Sequence, residues 1–105
     1  MNPKQGEVWL ADLGLAAKTR PVVILSRDDP QAPRALVVDI PLTTQNRRSH
    51  YEIEIGNLRF LKEASVANVQ GIGSIPVARL QRKLGSLPAE TLHKIKEAIR
   101  FAFDL

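Results

Sequence analysis

Helical spacing of apolar residues occurs once in this chain, at its end, and the stretch before residue 88 is broken into short apolar runs. Leu92, Ile95, Ile99 and Ala102 recur three or four residues apart, which marks one helix face turned to a core. Pro88 suits a first helical residue and Glu90 the positive end of the helix dipole, so the helix is predicted over Pro88 to Phe103. Upstream the period is two or undefined. Glu7-Val8-Trp9-Leu10-Ala11-Asp12 reads as a first strand, Arg20 to Ser26 as a second and Arg34 to Leu42 as a third. Tyr51, Ile53 and Ile55 alternate with Glu52 and Glu54, giving a fourth strand with the acids outward. Ser65 to Val69 and Ile72 to Ile75 form a fifth, interrupted near Gly71, where a bulge or close approach is expected. Arg79, Arg82 and Lys83 are assigned to a short helical turn. Five short strands and one closing helix imply a mostly β fold, a small and strongly curved barrel.

The 105 residues suffice for one domain with one modest core, so residues 1–105 are read as a single domain. Fifteen basic residues against eleven acidic ones leave a net charge of +4, a mild bias towards polyanions. The chain has no cysteine, which removes disulfides, thiol nucleophiles and thiolate metal sites. Residues 1 to 7 carry no apolar signal core, and no apolar run approaches the ~20 residues of a membrane helix. A cytoplasmic protein without membrane contact is expected.

Few residues remain that could do chemistry. Arg20 stands in Lys18-Thr19-Arg20-Pro21, at the mouth of the second strand. Its guanidinium stays charged and grips phosphate oxygens in a two-pronged way; the alternative is an arginine that caps a carbonyl or pairs with Asp12 or Glu7. Thr43, Thr44, Gln45, Asn46, Arg47 and Arg48 follow the third strand. They form either a solvated turn or a rim of hydroxyls, amides and charge able to hold a single-stranded backbone. If the second and third strands are neighbours, Arg20 lies close to both threonines. His50 and His93 lack the spacing of metal ligands, and Glu52 and Glu54 fit the outer face of a strand. Trp9 and Tyr51 could stack on bases or fill a core.

The run Gly6-Glu7-Val8-Trp9, Asp12-Leu13-Gly14, Thr19-Arg20-Pro21-Val22-Val23 and Pro41-Leu42-Thr43-Thr44-Gln45, in that order and spacing, resembles MazF/PemK-type toxins. Ser65 to Pro76, Ala78-Arg79-Leu80 and the closing Phe101-Ala102-Phe103-Asp104-Leu105 are similar to a PemK-like branch, so the likeness covers nearly the whole chain. The resemblance implies a Src-homology-3-like barrel with a C-terminal helix, assembled as a homodimer. It implies a toxin of a type II toxin–antitoxin pair: an endoribonuclease that cuts single-stranded RNA selectively without metal or other cofactor, and that a cognate antitoxin blocks. Arg20 and Thr43 match the family's essential arginine and threonine. The nucleophile is the RNA's own 2′-hydroxyl, and Lys18, Thr44, Gln45, Arg47 and Arg48 would position the strand. The loop Leu13 to Thr19 is shorter than in many members and lacks their acid, which leaves Gln70 and Ser74 as the nearest substitutes. Two other readings stay open: a non-catalytic RNA-binding barrel, and a gyrase-poisoning toxin of the same fold acting through Phe103 to Leu105.

Overall fold

The computed structural model describes residues 2–14 and 19–105. Among them seven strands and one α-helix form: β1 (Glu7–Asp12), β2 (Thr19–Ile24), β3 (Leu36–Thr43), β4 (Glu52–Glu54), β5 (Val66–Asn68), β6 (Gly73–Pro76), β7 (Leu80–Ser86) and α1 (Ala89–Phe103). All pairings are antiparallel, in the order β4-β5-β3-β2-β1-β7, with β6 also on β3. The path ends at β4 and β7, so the sheet is curved and open. Two irregularities in the β1–β7 ladder, after Val8 and after Leu10, add to the bend.

The expected β architecture with its C-terminal helix is present, and two details of it are corrected. The segment holding Arg82 and Lys83 is strand β7, not a helical turn; only Val77–Arg79 is helical, as one 3-10 turn. The interrupted fifth strand is two strands. β5 pairs with the end of β3 (Leu42↔Ala67, Thr43↔Val66), while β6 pairs with its beginning (Val37↔Ile75, Asp39↔Gly73). A 3-10 turn, Val69–Gly71, lets one segment serve both ends of the same strand. A Cβ on Gly71 would lie 2.7 Å from Cγ of Pro41, so this close seat on β3 requires glycine.

Pleating sorts the interior into two clusters. Val8, Val23, Ile40, Leu42 and Ala67 face Ile95 and Ala98 of α1, with Leu87 and Val69 completing that core. Trp9, Ala11, Val22, Ile24, Val37 and Leu80 gather on the opposite face. Both faces of the central strands are therefore apolar, which explains why Val22-Val23-Ile24 is continuous rather than alternating. The helix ends at Asp104, held in the left-handed region (φ 55°), where its N–H donates to the carbonyls of Arg100 and Phe101. Phe101, Phe103 and Leu105 remain exposed.

Candidate functional site: a polar groove across four strands

Arg20, Val22 and Ile24 point to one side of β2, and Asp39, Pro41 and Thr43 to the facing side of β3. The β2–β3 register is Val22↔Pro41, Val23↔Ile40 and Ile24↔Asp39. Extended by two residues, it sets Arg20 opposite Thr43 on the same face. The paired ladder stops short of them, at Val22↔Pro41, where Pro21 has no N–H to offer across to β3. The two strand ends are thus adjacent but unzipped. Arg20 is exposed, and among the described residues no carboxylate pairs with it.

Both acids that could have claimed Arg20 are engaged elsewhere. Asp12 Oδ1 accepts the Gly14 N–H at 2.9 Å. Glu7 accepts the Trp9 indole N–H at 3.0 Å and the Lys4 N–H at 2.8 Å, and it pairs with Lys83 Nζ at 3.0 Å. Burial pushes the Glu7 carboxyl up, but these hydrogen bonds and the Lys83 ammonium leave it below the usual glutamate range.

The same face continues through β5 and β4. Thr43 pairs with Val66, and Asn68, two residues on, stands opposite Glu52. The outward parity assigned to Glu52 and Glu54 is correct, but outward here is the face that carries Thr43. A cavity of about 500 Å3 opens there, lined by Thr43, Gln45, Arg47, Asn68, Gln70 and Glu52 together with Ser49 and Tyr51. Tyr51 also packs its ring against Phe101 of α1, centroids 5.3 Å apart.

The loop after β3 is shaped by side chains. The Gln45 N–H donates to Thr43 Oγ1 at 3.2 Å, so this hydroxyl keeps its own proton for another acceptor. Asn46 Nδ2 donates to Glu54 Oε1 at 3.1 Å. Glu52 Oε2 accepts the Arg47 N–H at 3.1 Å, and its Oε1 accepts the Ser49 N–H at 3.1 Å and the Ser49 hydroxyl at 2.8 Å. Arg48 sits in the left-handed region (φ 57°) between these anchors, its N–H donating to Asn46 Oδ1 at 2.8 Å. The Arg47 N–H first, then the Ser49 hydroxyl and N–H, hold the Glu52 carboxyl below its usual range.

Of the residues expected at the site, Thr43, Gln45, Arg47 and Gln70 meet at this cavity. Arg20 lies across from Thr43 by register. Thr44 lines a neighbouring cavity of about 350 Å3 with Asn46 and Glu54. Arg48 is exposed on the loop and does not line the cavity. Ser74 pairs with Val38, far back along β3 from Thr43 and of opposite pleat, so it is not brought in. Lys18 lies outside the described residues. Asn68 and Glu52 were not singled out as site residues; only their cross-strand pairing brings them in, and a linear pattern does not contain it.

A sequence profile described as PemK-like, MazF-like toxin of type II toxin–antitoxin system matches residues 4–103. The chain is 34% identical over 104 residues to a probable endoribonuclease, MazF5, of Mycobacterium tuberculosis, covering 97% of this chain and 94% of that one. Among solved structures, the M. tuberculosis toxin MazF-mt6 superposes with a TM-score of 0.83 at 33% identity, over 94% of this chain and 97% of that one. An endoribonuclease in complex with its cognate antitoxin, from a mycobacterial species, gives 0.84 at 29% identity, over 98% and 96%. The chain belongs to the PemK-like, MazF-like toxins of type II toxin–antitoxin systems.

Proposed function

We propose that this toxin is an endoribonuclease that cuts single-stranded RNA in the groove between Arg20 and Thr43. The 2′-oxygen of one nucleotide attacks the adjacent phosphorus, the P–O5′ bond breaks, and the products carry a 2′,3′-cyclic phosphate and a 5′-hydroxyl. One proton leaves the 2′-oxygen and one reaches the 5′-oxygen, so the step is balanced without hydrolytic water. A guanidinium is a poor general base, and the work of Arg20 is to stabilise the charge that accumulates on the phosphorane. Thr43 donates its free hydroxyl proton to a non-bridging oxygen, and Gln45, Arg47 and Gln70 hold the strand beside it.

The observation that carries this reading is the shared register of Arg20 and Thr43 on a face that runs into a polar cavity. An exposed cation with no carboxylate partner among the described residues, set by register opposite a hydroxyl with a free proton, fits a phosphodiester better than it fits a structural pair. The antitoxin would act by covering the groove, and the working unit would be a cytoplasmic homodimer. The test is to incubate purified protein with a long single-stranded RNA in chelator and map the ends. Cuts bearing 5′-hydroxyls that vanish with Arg20→Ala support the reading; intact RNA at high protein overturns it. The exposed Phe103 and Leu105 are the feature that favours a gyrase-directed toxin instead. Toxicity that survives Arg20→Ala but not Phe103→Ser would sustain that alternative.

A further inference from the structure

Glu52 and Asn68 are opposed across the β4–β5 ladder, and both line the cavity that Thr43 enters. Neither is needed for cleavage as proposed above, and neither is explained by the core. A carboxylate has about four acceptor positions. Three hydrogen bonds from Arg47 and Ser49 occupy Glu52, two on Oε1 and one on Oε2, which leaves Oε2 able to take one further donor. The Asn68 side chain is half-buried and makes no hydrogen bond among the described residues, so it offers a donor and an acceptor beside that anion.

Resting on the endoribonuclease reading, we infer that the Glu52–Asn68 pair is a base-selecting site that favours a nucleobase with an exocyclic amino group over uracil next to the scissile phosphate. The chemistry is complementary at both positions. Cytosine presents an amino donor beside a ring-nitrogen acceptor, as adenine does; Glu52 accepts from the amino group and the Asn68 amide donates to the ring nitrogen. Guanine gives one N–H, from its amino group or its ring nitrogen, to the same open position without needing the Asn68 amide. Uracil has only its single N–H to give Oε2, and the carbonyl oxygens on both sides of that N–H then lie close to the anion, so uracil is disfavoured. A cavity of about 500 Å3 accommodates a splayed-out nucleoside, the form in which single-stranded RNA exposes its base edges.

The decisive experiment cuts a set of short RNAs in which each base flanking the cleavage site is varied in turn. The wild-type protein should disfavour uracil at one flanking position by on the order of ten- to a hundredfold. Glu52→Gln, whose amide can turn to donate to a carbonyl, should raise the ratio of uracil to cytosine cleavage at that position and at no other. Because Glu52 also anchors the loop, Asn68→Leu is the second arm: it should lower cleavage of the cytosine and adenine substrates relative to guanine at the same position. Equal use of uracil by wild type at every flanking position overturns the inference. So does an unchanged base profile in Asn68→Leu, or in a Glu52→Gln protein that still cuts. If wild type cuts none of these RNAs nor the long one, the endoribonuclease reading falls and takes this inference with it.

Discussion

The two faces of the sheet follow opposite rules. Under α1 the inward residues at the centre of the sheet are apolar and nearly sealed, with Val8, Val23, Ile40, Ala67 and Ile95 at 0% exposure. The other face is apolar only along its middle, at Trp9, Val22, Ile24 and Val37, and polar at its margins. Glu7 with Lys83 marks one margin, and Arg20, Thr43, Asn68 and Glu52 the other. Because successive residues of a strand alternate between faces, neighbours in sequence serve different ends. Leu42 belongs to the core and Thr43 to the groove. Stability and chemistry are therefore separable by parity, and substitutions should respect the division.

The largest effect belongs to the sealed face. Ile95→Ala removes a side chain with 0% exposure from the centre of the helix–sheet contact and should destabilise by about 2–5 kcal/mol, read from the urea midpoint. RNA cleavage per folded molecule should be unchanged. A variant that keeps its midpoint but loses cleavage would show that the two faces are coupled.

Arg20→Ala is the converse. Removing the cation should lower the cleavage rate by roughly 10²–10³-fold, the scale seen when one preorganised charge-stabilising group is lost. Arg20 is exposed and without a carboxylate partner among the described residues, so the melting transition should shift by no more than ~0.5 kcal/mol equivalent. Loss of both properties together would assign Arg20 to structure.

Gly85 tests the sealed face more finely. It lies on β7 opposite Val8, and a Cβ there would come within 2.3 Å of the Phe60 ring. Gly85→Ala should cost about 1–3 kcal/mol through overpacking. Adding Phe60→Leu should restore part of the loss in a double-mutant cycle. Additive losses would mean that the cost of Gly85→Ala does not come from the Phe60 ring.

Most of this division could be read in the sequence, and what could not has a physical cause. Helical spacing located α1 to within one residue, because Ile95, Ile99 and Ala102 bear on the core directly and Leu92 is half-buried beside Gly6. The β1, β2 and β3 runs are rich in valine, isoleucine and leucine and were equally plain. Strand β7, Leu-Gln-Arg-Lys-Leu-Gly-Ser, carries no β-branched residue and three exposed polar ones in a row, so nothing local marks it; pairing with β1 makes it a strand. At the site, Arg20 and Thr43 stood out by type and position. Glu52 showed its correct face but not its meaning, since an alternating strand does not tell whether its outer side meets solvent or a groove. Asn68 depends wholly on a ladder between segments far apart in sequence.

Two buried acids on the groove face give the smallest effect and the sharpest sign. Glu7 is saturated by Lys4, Trp9 and Lys83, whereas Asp39 is 4% exposed, and among the described residues its Oδ1 has no hydrogen-bond partner. Burial holds the Asp39 carboxyl above the usual aspartate range, offset only by its own backbone N–H. Between the unfolded and the folded pKa the native protein holds the extra proton, so this group's contribution to stability falls as pH rises, and the penalty is complete above the folded value. Glu7 runs the other way: its lowered carboxyl contributes stability above the usual glutamate range, and the gain is lost as pH drops through the folded value. Asp39→Asn removes the first term and leaves the second. Relative to wild type, the variant should gain stability as pH is raised from 4 to 8, by roughly 1 kcal/mol, the scale of one unsatisfied buried polar group. Parallel denaturation series across that range measure the difference directly. A flat difference would mean that the Asp39 carboxylate is already compensated in the native state, and a declining one that it has a partner worth keeping.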